Sequence, residues 1–267
     1  MDSYHYGNAP DGFTVSRVKS GSGHRYVVEW SSGNKSAPMP SVTTLINRVI
    51  PKPGLVGWMR NRMDEEYRKA IDGYMRIHGP RDMNEAVIEE VSAAALAATA
   101  RTDARDDGTE LHAAIEASIM GKLVDEKWSR EVALFEAWMV ENGLIVVESE
   151  VPVVDLGLAV GGTFDILART TYGDQKYVLI DLKRAKGIYQ EHWLQLGAYA
   201  EMIHMRFDED VATGIILQFT ENDDGPALTA HHVKDISDAR VAWRELATYT
   251  MAFPPANSNI LFTVIGG

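Results

Sequence analysis

Residues 162–199 read GTFDILARTTYGDQKYVLIDLKRAKGIYQEHWLQLGAY. Asp165 lies in a β-rich run, and Asp181 and Lys183 lie in a second one as Asp-Leu-Lys. Residues two apart on a strand point to the same face, so the Asp181 carboxylate and the Lys183 ammonium emerge side by side. Asp165 joins them if its strand pairs with theirs. Two carboxylates hold a hard divalent cation through oxygen. A lysine beside them can orient a water or offset charge that develops on phosphate. Gln195 and Tyr199 follow four residues apart on a predicted helix, hence on one face.

The surrounding pattern extends this core in both directions. Residues 13–18 and 25–30 flank Ser-Gly-Ser-Gly and predict a β-hairpin. Ser41, Thr43 or Thr44 caps a helix that Pro51-Lys52-Pro53-Gly54 ends. Helices are predicted over about 55–77, 83–101, 109–120 and 129–141, the last with Val132, Phe135, Ala137 and Trp138 inward and Gly143 as its stop. Three β-rich segments follow at 144–154, 162–169 and 177–183, the last two joined by a turn at Gly173-Asp174. A helix over 190–205, strands over 215–220 and 227–233, and a helix over 237–252 complete the chain. The middle order is helix, three strands, helix, strand, so the expected fold class is α/β (α+β).

Composition bounds the function. The chain has 267 residues, no cysteine and a formal net charge of -12. The length suits one domain with helical additions. Without cysteine there are no disulfides, no thiolate zinc sites and no cysteine-held iron–sulfur cluster. No apolar run reaches the roughly 18 residues of a membrane span. The start, MDSYHYGNAPDGF, has neither a basic n-region nor an apolar h-region, so no secretory signal is expected there and a cytoplasmic setting fits. The acidic balance argues against a protein that coats nucleic acid. It leaves room for local basic tracks, for which Arg48, Lys52, Arg60, Arg62 and Lys183, Arg184, Lys186 are the candidates; the first group also reads as a solvated helix face. No Gly-x-Ser-x-Gly and no Gly-x-x-x-x-Gly-Lys-Ser/Thr occurs, so neither that hydrolase elbow nor an ATP motor is present.

The ordered set Gly108-Thr109-Glu110-Leu111-His112, Gly162-Thr163-Phe164-Asp165, Ile180-Asp181-Leu182-Lys183 and Gln195-Leu196-Gly197-Ala198-Tyr199 resembles the PD-(D/E)XK nuclease superfamily, and within it the RecB-like exonucleases. The resemblance covers roughly residues 37–220 and is similar to stand-alone members found in phages and mitochondria. It implies a restriction-endonuclease-like core with a mixed central sheet flanked by helices, here carrying an N-terminal helical extension. It implies one nuclease domain over 1–267, with a hairpin and helical cap over 1–104, the core over 105–253 and a tail over 254–267. The implied activity is Mg2+- or Mn2+-dependent DNA exonuclease, set in recombination, repair or replication-end processing. The implied partners are DNA, single-stranded or with a free end, and a phage or host recombination or replication protein; no membrane is implied.

Residue by residue, the resemblance implies metal ligation by His112, Asp165, Asp181 and the Leu182 carbonyl. It implies catalytic roles for Lys183, Asp165, Asp181 and Glu150, and DNA contact by Gln195 and Tyr199. From residue chemistry alone, the Ser41 and Thr43 hydroxyls could donate to phosphate, and Arg184 and Lys186 of the second basic track are DNA-contact candidates. Each has a plainer reading. Asp181–Lys183 alone is a strand-end ion pair, and His112 alone a half-buried polar residue on an amphipathic helix. Glu148 and Glu150 read equally as one solvated strand face, and Ser41 and Thr43 as helix caps. Two other functions use the same fold: a DNA-binding or assembly module that has lost activity, and a structure-specific endonuclease.

Overall fold

The computed structural model describes residues 3–6, 12–20, 23–50, 53–79, 84–100, 103–173, 176–207, 210–233 and 235–253. The expected tail at 254–267, Lys52, the tip of the first hairpin at 21–22 and Asp174 of the second turn lie outside them. In order, the elements are β1 (Ser3–Tyr6), β2 (Phe13–Ser20), β3 (Gly23–Trp30), α1 (Val42–Val49), α2 (Pro53–His78), α3 (Glu85–Ala100), α4 (Asp103–Ile119), α5 (Ser129–Glu141), β4 (Leu144–Asp155), β5 (Val160–Thr170), β6 (Tyr177–Arg184), α6 (Gln190–Phe207), β7 (Val211–Asn222), β8 (Gly225–Val233) and α7 (Ile236–Ala252). Among the described residues, no helix is long and apolar enough to cross a membrane.

The chain forms two compact units, 51–109 and the remainder. The smaller holds α2 and α3, packed on each other. The larger holds two sheets. One is a three-stranded antiparallel sheet, β1-β2-β3; the other is five-stranded, β4-β5-β6-β7-β8. In the second, β6 and β7 are parallel and every other pair is antiparallel. A parallel pair needs a crossover, and α6 supplies it. This mixed sheet flanked by helices has the order expected from the sequence.

Both sheet faces are covered, and strand alternation sorts the side chains. Leu179, Ile216 and Val153 meet α1, α6 and α7 through Leu45, Leu196 and Trp243. Ile180, Leu182 and Phe219 meet α4 and α5 through Leu111, Ile115 and Phe135. The inward stripe of α5 and the turn before it is Trp128, Val132, Phe135 and Met139. Ala137, expected inward, is exposed because it falls two positions off that 3.6-residue period. The helix carrying His112 starts at Asp103 rather than Thr109 and passes through Gly108. Glycine within a helix costs only about 1 kcal/mol relative to alanine.

Helices α6 and α7 approach closely at Gly197. A Cβ there would lie 2.2 Å from the Ala239 carbonyl oxygen. That neighbour is backbone and cannot rotate away. Beside this contact the buried Glu201 of α6 holds Arg240 at 2.7 Å and also Arg244, both from α7. Gly197→Ala is therefore expected to lower the urea midpoint by the equivalent of about 1–3 kcal/mol with an unchanged m value. A variant as stable as the parent would contradict this helix packing.

Candidate functional site

The acidic side chains meet where β4, β5 and β6 run side by side. Ladder pairs Ser149↔Ile166 and Val151↔Phe164 bracket Glu150 and Asp165. The β5–β6 ladder ends at Ile166↔Ile180, one residue short of Asp165 and Asp181. The Leu182 N–H instead donates to Asp165 Oδ2 at 2.7 Å. Two distortions of β4 shape this place. The register slips between Val146 and Glu148, and Glu150 has a φ of 52°. A left-handed, non-glycine residue inside a strand is strained, and such strain clusters at functional sites.

His112 enters from α4. Its Nε2 lies 2.9 Å from the Leu182 carbonyl oxygen. Its Nδ1 lies 3.6 Å from both Glu150 Oε1 and Asp165 Oδ1. A carbonyl only accepts, so Nε2 carries a proton and Nδ1 faces the carboxylates. The donor atoms of His112, Glu150 and Asp165 all fall within 4.8 Å of one another. An imidazole that turns one nitrogen to an acidic cluster and donates the other to a backbone carbonyl is arranged as metal-bound histidines commonly are.

Asp181 is the buried member, 1% exposed. Lys183 Nζ lies 2.6 Å from its Oδ2. This is a charge-assisted contact within hydrogen-bond distance, and it occupies Oδ2 alone. Asp181 Oδ1 is buried with no hydrogen-bond partner among the described residues, which is costly for a carboxylate oxygen. Burial pushes the Asp181 and Asp165 carboxyls up, against the pull of Lys183 on both and of His112 on Asp165. Burial also opposes the Lys183 ammonium, but Asp181 and Asp165 outweigh it and raise its pKa. Three carboxylates face one ammonium and one imidazole. The cluster is therefore net negative even with His112 protonated, and a divalent cation fits its oxygen-plus-imidazole donor set.

The wall of the site is aromatic. The Gly161-Gly162 step passes between two tyrosine rings. A Cβ on Gly161 would lie 2.4 Å from Tyr26, and one on Gly162 would lie 2.3 Å from Tyr199. Tyr26 also shares a hydrogen bond with Thr163 at 3.0 Å. Gln195 Nε2 donates to the Tyr199 hydroxyl at 3.2 Å. Burial, with neighbouring acids, holds the Tyr199 phenol well above its ordinary pKa, so it stays a neutral donor.

The remaining sequence candidates take other places. Ser41 caps α1, accepting from Thr44 N–H at 3.1 Å, and its hydroxyl contacts Thr43 at 2.9 Å. Gly161 N–H donates to the Pro40 carbonyl at 3.0 Å, which brings this cap beside the Gly-Gly step. Arg184 is one residue beyond Lys183 and so points to the opposite sheet face. There it meets Glu131 at 3.2 Å and lies over the Trp128 ring at 4.9 Å. Lys186 and Arg48 are exposed. The Arg60 and Arg62 side chains lie outside the described residues.

Two residues escaped the sequence reading. Gln218 pairs with Lys183 across β6–β7. Its Nε2 donates to the Ala185 carbonyl at 2.7 Å, and its Oε1 accepts from His231 Nε2 at 2.8 Å. The β6–β7 register reveals Gln218, and the β7–β8 pairing brings His231 to it.

No protein-family model matches the chain, and no curated protein matches it. Solved structures are similar in part, and two of them serve as examples. One is SSO0001, with 16% identity, covering 74% of this chain and 85% of that one at a TM-score of 0.31. The other is an alkaline exonuclease from Laribacter hongkongensis, with 12% identity, covering 80% of this chain and 92% of that one at a TM-score of 0.34. Likeness this faint leaves function to the geometry of the site.

The cluster has a measurable signature. Burial opposes the His112 imidazolium, yet Asp165 and then Glu150 raise its pKa from 6.5 to about 9. The stability it contributes is complete below 6.5 and is lost as pH rises through about 9. With metal chelated, the His112 ring protons in an NMR titration are expected to move near pH 9, and Asp165→Asn to bring that midpoint down. A parental midpoint near 6.5 would contradict the arrangement.

Proposed function

We propose that this chain is a divalent-metal-dependent deoxyribonuclease, an exonuclease of the RecB-like type. One observation carries the reading. Glu150, Asp165, Asp181, His112 and Lys183 converge where the β5–β6 ladder ends, and Oδ1 of the buried Asp181 has no hydrogen-bond partner among the described residues.

In this reading Asp165, Asp181, Glu150 and the Nδ1 of His112 would hold Mg2+ or Mn2+. A bound divalent ion supplies a lowered pKa for its water and offsets charge on phosphoryl oxygens. The imidazole favours tolerance of manganese. The Leu182 carbonyl holds the His112 ring by accepting from Nε2, and a direct bond from it to the ion would require that contact to break. Lys183, on the same strand face as Asp181, presents its N–H groups to the attacking water or to a non-bridging phosphate oxygen. Gln195 and Tyr199, joined to each other, line the adjacent wall and orient the phosphate or the ammonium. Ser41, Thr43 and Lys186 are proposed as outer backbone contacts. The proposed setting is recombination, repair or the processing of replication ends.

The test is digestion of end-labelled linear DNA and covalently closed circular DNA with Mg2+ or Mn2+. The expected result is loss of the linear substrate with the circle spared. Cleavage of the circle would make the chain an endonuclease. Cleavage of neither would make it a binding module. Lys183→Ala is expected to lower single-turnover cleavage about 10²–10³-fold while DNA affinity persists. If Lys183 is only an ion-pair partner, turnover per folded molecule stays at the parental value and the melting temperature shifts. Asp181→Asn keeps the shape and removes the charge, so a folded variant that cleaves like the parent would sink the metal assignment.

A further inference from the structure

The loop between β6 and α6 begins two residues after Lys183, and its position is fixed at both ends. At its base, Gln218 donates to the Ala185 carbonyl at 2.7 Å. At its tip, Tyr189 N–H donates to His192 Nδ1 at 3.2 Å, and His192 N–H donates to the Tyr189 carbonyl at 3.1 Å. The Tyr189 ring meets the His192 ring edge to face, with centroids 5.8 Å apart and planes at 62°. Its hydroxyl end lies over Gly187, where an added Cβ would be 3.2 Å away. Yet Tyr189 is 57% exposed. This is an aromatic face held in place by its own turn and open to solvent.

Its position ties it to the site. His192, Gln195 and Tyr199 stand at i, i+3 and i+7 on α6 and share one helix face. From Tyr199, which packs on Gly162, that face runs outward through Gln195 to His192 and the Tyr189 ring. Seven residues of helix span about 10 Å, or about three nucleotide steps at the 3.4 Å spacing of a stacked strand. Lys186, exposed in the same loop, adds a cation three residues after Lys183. Among the described residues the other exposed aromatics are elsewhere: Tyr172 sits in the hairpin at the far end of β6, and Tyr249 pairs with Phe253 at the end of α7.

We propose that Tyr189 is a base-stacking platform, which takes an unpaired nucleobase of the DNA strand whose phosphate lies at the carboxylate cluster. The proposal rests on the nuclease reading and sharpens it to a substrate with a single-stranded end. Every base has a π-face, so such a platform is tolerant of sequence. Paired and stacked bases cannot use it.

Anisotropy of a fluorescently labelled oligodeoxythymidylate, with calcium supplied in place of magnesium, tests this. Tyr189→Phe keeps the ring and is expected to bind like the parent. Tyr189→Ser is expected to weaken binding roughly ten-fold, with the thermal melt unchanged and the affinity for a blunt duplex unchanged. A single abasic position moved along the oligonucleotide gives the complementary readout. The parent should lose affinity at one position, and Tyr189→Ser should show no further loss there. Parental affinity in Tyr189→Ser overturns the proposal, as does an equal loss in the Phe and Ser variants or the absence of binding by the parent. Cleavage of DNA by the parent with manganese is scored separately. A failed platform leaves that cleavage intact, and a failed nuclease reading abolishes it.

Discussion

Gathering three carboxylates, two of them buried, against one lysine and one histidine where the β5–β6 ladder ends is the constraint around which this molecule is arranged. The carboxylates outnumber the cations, and Oδ1 of Asp181 has no hydrogen-bond partner among the described residues. A buried cluster with negative charge in excess either takes up a proton or gains a cation. The raised carboxyls of Asp165 and Asp181 and the raised imidazole of His112 are the first response, expressed without metal. The second response is the chemistry proposed for this chain.

The scaffold holds that unfavourable cluster in place. Tyr26 from the small sheet and Tyr199 from α6 clamp the glycine step at the start of β5, and only a missing side chain allows both rings so close. The crossover helix α6 covers one face of the sheet and carries Gln195 and Tyr199 to the site. Helix α4 covers the other and carries His112. Leu111 and Ile115 of α4 are buried in the core on that side, so packing fixes where the imidazole can reach. The strained backbone at Glu150 places a third carboxylate opposite Asp165.

Much of this was legible before any coordinates. Period-two alternation placed Asp181 and Lys183 on one face, and the apolar runs around them marked the central strands. The end of α5 followed from Gly143, which has the positive φ of a helix stop. The same alternation assigns Arg184 to the opposite face, where it meets Glu131, although charge alone suggested a phosphate contact. The early start of α4 was hidden because Gly108 reads as a break. Strand β1 was hidden because Ser-Tyr-His-Tyr has no apolar alternation and is strand only by pairing with β2. Neither the β4 bulge nor the left-handed Glu150 has a local sequence signal; both arise from matching β4 to β5. Gln218 depends on a parallel register set by a crossover, and His231 reaches it only through the β7–β8 pairing, neither of which local pattern encodes.

The central claim is that the carboxylate cluster is built for a divalent cation. Calorimetric titration of manganese into the metal-free protein at neutral pH, repeated in buffers of different ionisation enthalpy, tests it most directly. A metal ligand must shed its proton. The account predicts saturable binding with net proton release, both weakened by His112→Ala and abolished by Asp165→Asn. Saturable binding that survives Asp165→Asn, or no binding to the folded parent, would contradict it.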